Sequence, residues 1–155
     1  AHMTATVVLK GEEREIALAE LGAVRAAVTD GDYGQTLDTV LEGLEDAGTL
    51  SEDGAAEVDR VLTLALQTGR VRALHGPGGE QAALKAFRRL PTGVELARTA
   101  SEVSEALTAL RGRTLDGVQV AVNGPGAFSV TLVADGTEIV LRLDRSGARV
   151  ASVAP

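Results

Sequence analysis

The chain has 155 residues, 2% aromatic content, no cysteine, a formal charge of −7 and a pI near 4.8. Without cysteine there is no disulfide framework, thiolate metal site or cysteine nucleophile. The acidic balance excludes a basic nucleic-acid footprint, and Tyr33, Phe87 and Phe128, the only aromatics, leave no platform for stacking bases.

A chain of this length buries roughly 68–70% of its unfolded surface as one domain. Ala1-His2-Met3 reads as a cloning scar, so residues 4–155 are taken as a single domain, with a helical part over about 19–111 and a β-meander over about 114–153. No apolar run approaches the roughly 18 residues of a membrane span and no leader is visible, which predicts a soluble, cytoplasmic protein without a membrane partner. Arginine outnumbers lysine 13 to 2, which fits a GC-rich bacterial genome.

In chain order, Thr4 to Leu18 predicts a β-hairpin turning at Lys10-Gly11-Glu12, because Ile16 and Leu18 alternate with charged or small residues. A helix starting near Glu12 is the rival reading. Leu21, Val24 and Val28 then mark a helical face, and Leu37, Val40, Leu41 and Leu44 mark a second that ends at Gly48. Ser51 is placed to cap a third helix carrying Val58, Val61, Leu62 and Ala65, which Gly69 closes. Glu80 to Leu90 predicts a fourth, stopped at Leu90-Pro91-Thr92-Gly93, and Thr99-Ala100-Ser101-Glu102 reads as the capping box of a fifth with Val103, Ala106, Leu107 and Leu110 inward.

Beyond Gly112 the period becomes two. Val118, Val120 and Val122, then Phe128, Val130 and Leu132, then Ile139, Leu141 and Leu143 predict antiparallel strands, with Asp135-Gly136 as a hairpin turn and a fourth strand over Ala148 to Val153. An apolar sheet face must be covered, so the prediction is an α+β fold: four or five helices on one face of a three- or four-stranded meander, with an N-terminal hairpin.

The stretch most like a site is LHGPGGEQAAL, residues 74–84. A phosphate-binding loop needs lysine and a hydroxyl residue after its last glycine, whereas Glu80 and Gln81 stand there. The dinucleotide fingerprint fails at Gln81, so the glycines are read as a chain turn. Asp30 and Asp32 have the first spacing of a calcium loop, but Gly34, Gln35 and Leu41 occupy positions where its other requirements fall. His75 has no nucleophile or orienting carboxylate at a recognisable spacing, and no serine sits in a nucleophile elbow.

Charge is segregated along the chain. Glu12 to Asp59 holds fourteen acidic residues against Arg14 and Arg25, whereas Arg70 to Leu90 holds five basic residues against Glu80. Lys85, Arg88 and Arg89 share a helical face, with Arg70, Arg72 and His75 upstream, and these six residues are the candidate binding patch. With no cofactor fingerprint, metal set or catalytic constellation, the expected function is a non-enzymatic protein-interaction module: an adaptor, regulator or immunity-type partner meeting an acidic protein or a second copy. The alternative is a ligand-binding domain whose apolar pocket has Arg70, Arg72 or His75 at its mouth for a small anionic group.

Overall fold

The computed structural model describes residues 7–155. Strand β1 (Val7–Val8) leads to α1 (Gly11–Ala27), α2 (Gly31–Ala47), β2 (Thr49–Leu50), α3 (Glu52–Gln67), α4 (Arg70–Arg89) and α5 (Pro91–Leu107). A 3-10 turn at Thr108–Leu110 precedes β3 (Leu115–Gly124), β4 (Ala127–Ala134), β5 (Thr137–Asp144) and β6 (Gly147–Ala154). The fold class is α+β, as the succession of periodicities predicts. Two compact units divide inside α5, one running to Val94 and the other from Glu95 to Pro155.

In the first unit, Leu9, Leu21, Leu37, Leu44, Val58 and Leu62 close a common core with Leu50 and Leu90. Each fully buried leucine contributes about 1.5–3 kcal/mol relative to exposure. The N-terminal hairpin is corrected: β1 pairs antiparallel with β2, Val7 opposite Leu50, and the proposed turn and second strand are the first turns of α1. Alternation over a few residues around Ile16 is too short to separate period two from period 3.6, and Glu12 and Glu13 suit the positive end of a helix. The part of that hairpin before Val7 lies outside the described residues.

Helix starts follow side-chain capping. Asp30 accepts from the backbone N–H groups of Asp32 (2.9 Å) and Tyr33 (3.2 Å), and Ser51 accepts from Gly54 N–H at 3.1 Å. The glycine-rich stretch is no loop. Helical backbone runs through it with one break at Gly76 (φ 71°, ψ −176°), after which Pro77 opens the next turn, where its missing N–H costs nothing.

The fifth helix starts at Pro91, well before the predicted capping box at Thr99. Thr99 Oγ instead donates to the Leu96 carbonyl at 2.9 Å inside the helix. The start is supplied by Asp59 of α3, a buried carboxylate that accepts from Thr92 N–H (3.1 Å) and Thr92 Oγ (2.6 Å).

The second unit is a four-stranded antiparallel sheet of order β3-β4-β5-β6. Asp135 (φ 48°) and Gly136 (φ 81°) are both left-handed, the two-residue turn whose twist matches its flanking strands. Register places Val118, Val120 and Val122 opposite Leu132, Val130 and Phe128, which in turn face Ile139, Leu141 and Leu143. One face is therefore apolar throughout, and Gln119, Ser129, Thr131, Glu138 and Arg142 lie on the other.

Helix α5 covers only part of the apolar face. Val103 and Leu107, with Leu110 behind them, pack on Ile139 and Leu141, flanked by Val130, Leu132, Ala148 and Val150. The valines of β3 remain exposed, at 60% for Val118, 63% for Val120 and 73% for Val122.

Candidate functional site

In the first unit, charge gathers around one buried carboxylate. Glu20 lies on the apolar stripe of α1 with Ile16, Ala17 and Leu21, and its side chain is 3% exposed. Arg70 Nε donates to one oxygen at 2.9 Å, and His75 Nε2 lies 3.2 Å from the other. A buried carboxylate left alone would be costly, so α4 supplies both neighbours from its first turn and a half. No buried side-chain nitrogen or oxygen among the described residues lacks a hydrogen-bond partner.

The six candidate residues are split by this packing. Arg70 and His75 come together at Glu20, and Arg89 Nε pairs with Glu13 of α1 at 2.8 Å. Arg72, Lys85 and Arg88 are exposed and enter no ion pair among the described residues. Part of the charge segregation along the chain is thus neutralised where α4 lies on α1.

Two recesses flank the Glu20 cluster. One of about 430 Å³ holds His75, Gly78 and Gly79 on one wall and Glu12, Glu15 and Ile16 on the other. Its two carboxylates disfavour an anion there. The second, about 330 Å³, lies between α1 and α3, lined by Val24, Val61, Leu64 and Tyr33, with Arg60 and Arg70 at its rim. Arg60 stacks over Tyr33, 5.4 Å from the ring centre, and pairs with Glu57. Burial pushes the Tyr33 hydroxyl above the usual phenol range, its 2.9 Å bond to Glu57 adds to this, and Arg60 opposes it.

In the second unit the feature of note is the open half of the sheet. Val118, Val120, Val122 and Phe128 stand in cross-strand register with no charged residue among them. Folded proteins rarely leave a contiguous apolar patch of this kind in water.

No protein-family model matches the chain, and neither does any curated protein or solved structure.

No group of three or more histidine, aspartate or glutamate side chains among the described residues is placed to hold a metal ion, and Asp30 is spent as a helix cap. No helix among the described residues is long and apolar enough to cross a membrane. Sequence reasoning missed Glu20, Tyr33 and Arg60. Glu20 carried a signal, a lone carboxylate four residues from Ile16 on an apolar stripe; Tyr33 and Arg60 carried none, because their meeting depends on how α2 lies against α3.

Proposed function

We propose that the chain is a non-enzymatic protein-interaction module that docks its partner through the β3–β4 half of its sheet. The observation that carries this reading is the exposure of Val118, Val120 and Val122 on a face whose other half is buried under α5. Removing such side chains from water is the main favourable term in association. The direction of docking differs from the basic patch on α4, three of whose members are already engaged by Glu20 and Glu13. An adaptor, regulator or immunity-type role is compatible with such a surface.

A photo-crosslinking residue at position 120 in cells is expected to yield a protein adduct, whereas the same residue at Gln119, on the opposite face, is expected to yield little. Equal labelling at both positions, or none at 120, would remove the docking reading.

A second reading is favoured by the mostly apolar recess between α1 and α3, where Arg60 and Arg70 stand beside Val24, Val61 and Leu64, and the Glu20 carboxylate in its wall is already paired with Arg70. Its ligand would be a small apolar acid. Decanoate is expected to raise the melting temperature by mass action, and Arg60→Gln, which leaves the Glu20 pair intact, is expected to shrink that rise. No shift at millimolar decanoate sinks this reading.

A further inference from the structure

We infer that the partner of the open sheet half is a second copy of this chain, packed face to face about a two-fold axis parallel to the strands. The inference rests on the docking reading above and names its occupant. It is carried by area, charge and layer geometry.

The exposed fractions of Leu115, Val118, Val120, Val122, Phe128 and Leu143 amount to an apolar patch on the order of 500 Å². Two such patches facing one another bury on the order of 1,000 Å² before any polar rim, which is where specific interfaces begin. Charge permits the approach. From Glu95 to Pro155 there are seven acidic residues against six basic ones, so the unit bearing the patch is close to neutral although the whole chain is at −7. Self-association through this unit meets little Coulomb repulsion, and a strongly charged partner gains nothing from an uncharged face.

Layer geometry decides the mode. Packed sheets lie about 10 Å apart and a helix is about 10 Å across, so a second sheet half occupies the same layer as α5 and lies beside it. A two-fold axis along the strands then sets β3 and β4 of one copy over β3 and β4 of the other. Each α5 flanks the neighbouring copy's β3, covering the ten-residue edge strand Leu115–Gly124. The other symmetric choice, pairing β3 with β3 along their edges, would leave every valine of the patch in water and double its size.

The full chain in sedimentation or light scattering at about 10 µM is expected to be a dimer that persists in high salt, because no ion pair holds it. Val120→Glu buries an unpaired carboxylate and should raise the dimer dissociation constant on the order of 100-fold or more. Gln119→Glu, one residue away on the polar face, should leave it unchanged. Val122→Glu repeats the test if circular dichroism finds the first variant unfolded. A dimer indifferent to these substitutions overturns the face-to-face arrangement.

Because the chain lacks cysteine, Val120→Cys is a clean probe of a monomeric outcome. A monomer in which the introduced thiol reacts with maleimide as fast as a free thiol overturns the second copy and leaves the docking reading standing. A monomer whose thiol is protected overturns both.

Discussion

Replacing Arg70 with alanine is expected to destabilise the chain by about 3 kcal/mol, the lower end for breaking a buried ion pair. The carboxylate of Glu20 would keep its burial at 3% exposure and lose its closest donor, Arg70 Nε at 2.9 Å, with only His75 at 3.2 Å remaining. The lower end applies because Arg70 is itself 48% exposed, so water screens part of the pair. Urea unfolding followed by circular dichroism measures the loss as a lowered midpoint.

The double change Glu20→Met with Arg70→Leu separates the causes. It removes the buried charge together with its partner and is expected to return stability to within about 1 kcal/mol of the original. A double variant as unstable as Arg70→Ala would mean that packing of the arginine stem, and not charge, is what the first α4 turn provides.

Gly48→Ala is expected to cost about 3 kcal/mol or more, the other large effect. Gly48 ends α2 in the left-handed region (φ 71°), which a side chain adopts only with strain. A Cβ there would also lie 2.0 Å from the Leu9 carbonyl oxygen, and the same glycine's carbonyl accepts from Leu9 N–H at 2.8 Å. The added methyl therefore pushes on the backbone that joins β1 to β2, and Leu9 is a fully buried member of the core. Gly22→Ala is the matched control. That glycine sits inside α1 with open space where its Cβ would be, so alanine should stabilise by about 0.5–1 kcal/mol. Equal losses at positions 48 and 22 would contradict the close approach at Leu9.

Some of these features were legible residue by residue. Gly48 and Ser51 were identified as helix end and helix cap because both act within a few residues of themselves. Glu20 is not legible in the same way, because a carboxylate on a helix is normally solvated and its burial depends on the arrival of Arg70 from fifty positions downstream. The six candidate residues have in common only their charge and their nearness along the sequence. Packing divided them into Arg70 and His75 at Glu20, Arg89 at Glu13, and three outside any ion pair among the described residues.

By itself the sequence determined the helices of period 3.6, the later strands of period two, the Asp135-Gly136 turn and the α+β class that follows from their order. Each depends on the fit between a residue and its near neighbours, so no distant contact is needed to read it. Tertiary structure decided the rest. The start of α5 at Pro91 waits on Asp59, which lies 33 positions before the Thr92 N–H it accepts from. The short alternation around Ile16 becomes helix because Ile16, Ala17 and Leu21 find a core on one side of α1. The sequence also made one whole face of the sheet apolar, but which half stays open is decided by where α5 lands. That position is a balance of packing between segments far apart in the chain, and no spacing along the sequence encodes it.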